Sequence, residues 1–167
     1  MVWKAFELRP DPVPSLDPAG DYLTRVWRDS VYPLGERLGM TMRLPPIQPR
    51  SRRAHEAAKW AQTQDQFGGY NEAVFRAFFE RGEDISDADV LVKLARDLEL
   101  DGSSLRTALE NKQFESSVID DEREAAELGV HAVPAFIVNR RFALTGVQPV
   151  TALEEMVNRA SPIASTR

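Results

Sequence analysis

The sequence predicts an α/β chain in the order strand, helices, strand, strand, helix, and three observations carry that prediction. A short aromatic-bearing stretch, Val2 to Leu8, is closed by a proline-rich run; about eighty residues from Ser51 repeat their apolar positions with a helical period; and past Gly129 the period changes to two. With 167 residues, 43% of them hydrophobic, the chain suits one domain carrying a helical insertion. Its 26 acidic and 21 basic side chains leave a formal charge of −5, which offers no broad positive field to nucleic acid or an anionic membrane. The absence of cysteine excludes a disulfide framework, a Cys-ligated zinc, an iron–sulfur cluster and a thiolate nucleophile within the chain.

Val2–Leu8 reads as a strand that leaves its sheet through Arg9-Pro10-Asp11-Pro12-Val13-Pro14. Its two charges and short length make neither a secretory signal nor a membrane span, so a cytoplasmic location is the default expectation. Asp17-Pro18 has the form of a helix start, followed by a stripe of Tyr22, Leu23, Val26 and Trp27, with Pro33 breaking or restarting the helix before Gly39. Leu44 to Pro49, rich in proline, predicts an extended surface connector. The helical block is expected to break at Gly68-Gly69, Gly82 and Asp101-Gly102. Within it the small face Ala54, Ala57, Ala58 and Ala61, with Trp60 beside it, is matched to a bulky face of Val74, Phe75, Phe78 and Phe79. Ser86-Asp87-Ala88-Asp89 predicts a capping box before Val90, Leu91, Leu94 and Leu98. A short helix begins at Ser104, and another spans Phe114 to Leu128 before Gly129. Ala135–Val138 and Arg141–Thr145, joined at Asn139-Arg140, predict a β-hairpin, and Thr151 to Glu154 a capping box for a last helix carrying Leu153, Met156 and Val157. The boundaries are thus a core of 1–14 with 129–160, a helical region 15–128, and a flexible tail 161–167.

The most informative segment is Val130-His131-Ala132-Val133-Pro134, where a proline stands at the mouth of a β-branched strand. A Val-Pro there, followed by a hairpin and a C-terminal helix, predicts the second half of a thioredoxin fold. In that fold the proline peptide is cis and the preceding residue's backbone is left to pair with an extended substrate.

The order of several stretches resembles the DsbA-like thioredoxin-fold proteins, and among them the FrnE-type branch, over nearly the whole chain. Trp3 to Asp11 is similar to the family's second core strand and its proline-containing exit, and Ser51 to His55 to the start of its helical insertion. Ala77 to Asp87 resembles a recognisable part of that insertion, Gly129 to Pro134 the cis-proline loop, and Phe142 to Pro149 the closing strand and turn, with Ala132 standing where glycine is usual. The resemblance implies thiol–disulfide exchange by a Cys-x-x-Cys at a helix N-terminus beside the cis-proline. It also implies that the family's first strand and redox helix start correspond to positions before Met1, an N-terminally truncated version of the fold. Losing that strand would leave unpaired backbone groups facing a gap. Val2–Leu8 is therefore expected to move over to the hairpin, or a second copy of the chain to fill the slot as a homodimer.

Without cysteine the leading reading is a redox-inactive relative that keeps a substrate-binding face at His131, Ala132, Val133 and Pro134 for a thiol-containing peptide or protein. One alternative is a glutathione-dependent isomerase similar to 2-hydroxychromene-2-carboxylate isomerase; another is a non-catalytic peptide-binding or dimerisation module. His131 is a candidate proton carrier or hydrogen-bond donor over the substrate groove, and equally an exposed loop imidazole; His55 reads as a structural residue bonding a loop carbonyl. Arg50, Arg52 and Arg53 cluster at a helix start as a contact for glutathione or another anion, or else as a solvated face with acidic partners. Asp120-Asp121-Glu122 is explained as dipole complementarity at its helix start. No metal site or cofactor is expected, and no nucleophile–base pair or glycine-rich phosphate loop appears.

Overall fold

In the computed structural model, residues 1–160 are described; the tail 161–167 lies outside the described residues. Val2–Leu8 is extended but joins no sheet, contrary to the strand expected there. Side chains of a helix take the place of a neighbouring strand: Asp121 Oδ2 accepts from the Ala5 amide at 2.9 Å and Glu122 Oε1 from the Glu7 amide at 3.3 Å. Ala5 and Glu7 are consequently buried.

The first helix starts later than Asp17-Pro18 implies, because the Asp17 carboxylate accepts from the Ala19 amide and closes a turn there. Helix α1 (Asp21–Val26) runs without interruption into a π turn (Trp27–Val31) and then α2 (Tyr32–Arg37). Pro33 has no amide to continue the ladder, and the chain widens by one residue before it, the Tyr32 amide donating to the Trp27 carbonyl. Gly39, at φ +66°, ends the run. The connector after it is extended as expected, yet Pro45 is fully buried and Pro46 packs on Gly82, so it is not wholly a surface strap.

Five helices follow: α3 (Arg52–Gln62), α4 (Phe67–Phe79), α5 (Ala88–Asp97), α6 (Gly102–Glu110) and α7 (Glu115–Glu127). Their core joins Trp60, Tyr70, Leu91, Val92 and Leu105 through alanines of α3, α4, α5 and α6, whose small side chains let the helices approach closely. Tyr70 donates its hydroxyl to the Leu91 carbonyl at 2.9 Å, which satisfies the phenol inside that core. Gly68 and Gly69 do not break the block; they lie in the first turn of α4, and the break falls at 63–66, where Asp65 takes φ +57°. The core face of α4 is Tyr70, Val74 and Ala77, not the expected phenylalanine face, and Phe75 is 49% exposed. Phe78 and Phe79 meet edge to face at 4.8 Å, and Phe79 reaches Trp27 at 6.1 Å, joining the first helices to the block. Asp87 rather than Ser86 caps α5, accepting from the Asp89 amide, and Asp101 caps α6 three residues before the expected Ser104.

Gly129, at φ +70°, ends α7. Strands β1 (Ala135–Val138) and β2 (Phe142–Thr145) pair antiparallel with Ala135 opposite Thr145 and Val138 opposite Phe142. Asn139 and Arg140 both take positive φ, as tight hairpin turns require. Helix α8 (Val150–Ala160) starts just after Pro149, so Thr151 lies inside its first turn instead of capping it, and Met156 is its buried residue. The sheet holds two strands among the described residues, and all four residues of β1 are only half-buried.

Candidate functional site

His131, Ala132, Val133 and Pro134 form one exposed run between the end of α7 and β1, with Val133 41% exposed. The Val133–Pro134 peptide is cis, as is Asp11–Pro12. The Gly146 amide donates to the Pro134 carbonyl at 2.8 Å, which makes Pro134 and Gly146 a hydrogen-bonded pair. In an antiparallel ladder such pairs alternate with unbonded ones. By the observed register Phe136 and Val138 turn their backbone groups toward β2, whereas Ala135 and Ile137 turn theirs away. No strand of the described residues meets that outward edge. Val2–Leu8 has not moved over to it, because its backbone is committed to α7.

That commitment is a buried charge network that sequence reasoning missed. Asp121, 4% exposed, accepts from the Ala5 amide and from Lys4 Nζ at 2.9 Å and is ion-paired with Lys59. It lies midway along α7, so its role is not dipole complementarity at a helix start. Burial opposes its ionisation, but Lys59, the Ala5 amide and Lys4 outweigh it and hold the carboxyl below the usual range. Beside it Arg52 pairs with Glu7 and with Glu122 at 3.2 Å, and burial pushes the Glu7 carboxyl up. The His55 ring hydrogen-bonds the backbone of Phe6, and burial lowers its pKa. The only sequence signal was the run Asp120-Asp121-Glu122 with an alternating charge at Lys4 and Glu7.

Arg50, Arg52 and Arg53 do line one cleft, of about 410 Å³, together with Glu56, Lys112 and Glu115, and its walls include none of residues 131–134. They are not equivalent. Arg50 donates to the Arg9 carbonyl at 2.5 Å and faces Asp11 at 3.4 Å, while Arg52 belongs to the network above. Arg53 donates to the Ser86 carbonyl at 3.2 Å and makes no ion pair among the described residues. No group of three or more His, Asp or Glu side chains is gathered for a metal ion among the described residues, and no helix of theirs is long and apolar enough to cross a membrane.

The chain is 37% identical over 144 residues to the uncharacterized protein YwbO of Bacillus subtilis (strain 168), covering 81% of this chain and 70% of that one. Its fold is similar to that of a probable DsbA oxidoreductase from Streptomyces coelicolor (TM-score 0.76, 22% identity, 98% of this chain and 77% of that one). It is also similar to that of 2-hydroxychromene-2-carboxylate isomerase (TM-score 0.74, 17% identity, 88% and 71%). Both likenesses, at this identity, speak for the thioredoxin-like α/β fold. The model of the DSBA-like thioredoxin domain matches residues 1–158, which identifies this chain, with its helical block and proline-headed hairpin, as a member of the DSBA-like thioredoxin domain family.

Proposed function

We propose that this chain binds extended, thiol-bearing peptide segments along the outward edge of β1 and the loop 131–134 without exchanging disulfides itself. The observation that carries the reading is the outward backbone of Ala135 and Ile137, which no strand of the described residues meets. Backbone donors and acceptors presented in that way add a strand, with affinity from main-chain bonds and selectivity from alternate side chains. A mixed disulfide needs a thiolate on the protein, and the sequence contains no cysteine. His131 and Val133, both exposed, flank the place where such a segment enters. A second copy of the chain is the competing occupant of the same edge.

The test has two arms. Insulin reduced by dithiothreitol should precipitate at the uncatalysed rate in the presence of the chain, and a faster rate would overturn its inertness. Reduced insulin B chain should bind, and Ile137→Pro, which removes one outward N–H while leaving the bonds to β2, should weaken binding by about 10-fold, a typical effect of one lost hydrogen bond of about 1.4 kcal/mol. Unchanged binding by a variant with wild-type circular dichroism would overturn the edge, as would a dimer by light scattering that the peptide does not dissociate.

A further inference from the structure

The cleft at the N-terminal end of α3 lies between the Ser86 loop and the junction of α6 with α7. Most of its charges are matched within the protein. Arg50 has Asp11, Arg52 has Glu7 and Glu122, and Lys112 has Glu115 at 3.0 Å. Three are not. Arg53 uses one guanidinium nitrogen on the Ser86 carbonyl and makes no ion pair among the described residues. Glu110 stands one helical turn from Arg106, which is already paired with Asp89. Glu56 is 4% exposed, and its Oε2 is closed off from solvent with no hydrogen-bond donor among the described residues.

An unpartnered carboxylate oxygen is among the costlier things a fold can bury. Arg52, Lys112 and Arg53 are near enough to favour the charged form of Glu56, yet burial and the neighbouring Glu115 charge outweigh them and push its carboxyl up. What Oε2 lacks is a donor within bonding distance, and the side chain that carries it forms part of the cleft wall. Glu56 nonetheless lines the cleft, so a cation seated there would answer the charge of a carboxylate that the protein leaves without a donor. The unmatched set is then one guanidinium and two carboxylates, complementary to a small molecule with one carboxylate and two cationic groups.

We propose that this cleft binds a basic amino acid, its α-carboxylate on Arg53 and its ammonium groups on Glu56 and Glu110. Glu56 supplies the buried, strongest contact; Glu110, which is exposed, supplies a weaker one. The ligand is distinct from the peptide that the β1 edge would take, and the two sites share no residue.

Calorimetry of the full chain with L-lysine, cadaverine and succinate at fixed salt tests this. L-lysine should bind, with cadaverine and succinate at least about 10-fold weaker, since each lacks one half of the charge pattern. Glu56→Gln, which keeps the shape and removes the charge, should weaken L-lysine by about 10-fold or more. Arg53→Gln should make L-lysine bind no better than cadaverine. Absence of L-lysine binding at millimolar concentration, succinate binding as tightly as L-lysine, or an unchanged affinity in Glu56→Gln would each overturn the proposal. Should circular dichroism show that Glu56→Gln does not fold, Glu110→Gln reads the second ammonium contact, and an affinity equal to the wild type would overturn the proposal.

Discussion

Asp121 draws together Lys4 and the Ala5 amide of the N-terminal segment and Lys59 of α3, and it is the most connected buried carboxylate holding that segment. Removing its charge while keeping its shape leaves Lys59 without its closest partner. Asp121→Asn should therefore cost about 3 kcal/mol, the usual effect of breaking a buried pair, read as a lower midpoint in urea denaturation. The same residues set the response to acid. His55 has a folded pKa lowered by burial, so the unfolded chain binds the proton more readily and stability rises with pH. Its contribution is complete above the unfolded value of about 6.5 and is lost as pH falls through the folded one. Asp121 is likewise held low, and its contribution is present above about pH 4 and lost below it. Urea midpoints measured from pH 8 to pH 3 should fall in two stages; a flat profile between pH 7 and pH 5 in which His55→Gln matches the wild type would contradict the first. A sequence shows Asp121 as one acid in a run of three. Only the folded arrangement distinguishes it from Asp120, which stays exposed and pairs locally with Arg123.

Gly82 shows what an element's end requires. It ends the turn after α4 at φ +68°, and a Cβ there would stand 2.8 Å from Pro46 Cδ, an atom of a rigid ring on the connector that runs over it. Gly82→Ala should cost at least the 1–2 kcal/mol of a left-handed non-glycine residue and lower the melting temperature by several degrees. Equal thermal stability of the two proteins would show that the connector gives way freely. Helix ends set by this kind of local chemistry were legible: Gly39, Gly82 and Gly129 all take the positive φ that their spacing implies. The α1–π–α2 run was not, because propensity marks Pro33 as a stop, whereas the packing of Trp27 on Tyr32 and Phe79 holds the helix together through a widened turn.

Across the whole molecule, burial is unequal. The helical block seals Tyr70, Leu91, Val92, Leu105 and Val118 from solvent, while every residue of β1 is only half-buried and Arg140 ties the hairpin turn to Glu124 and Glu127 of α7 by an exposed ion pair. Native-state hydrogen exchange should accordingly find α3 and α6 opening only with global unfolding, and the amides of Phe136, Val138 and Leu144 exchanging at a distinctly lower free energy. Equal protection in the two regions would mean that the hairpin is held by more than these contacts. The division also explains what could be read in advance. Periodicity and turn chemistry act over a few residues, so the amino-acid order alone established the helical block, the hairpin at Asn139-Arg140 and the absence of any thiol. Which face of α4 turns inward, where Val2–Leu8 lies, and which carboxylates are buried depend on partners 21 to 117 positions away in the chain. Those were decided by packing, because the cost of burying a charge is set by what surrounds it and not by its neighbours in sequence.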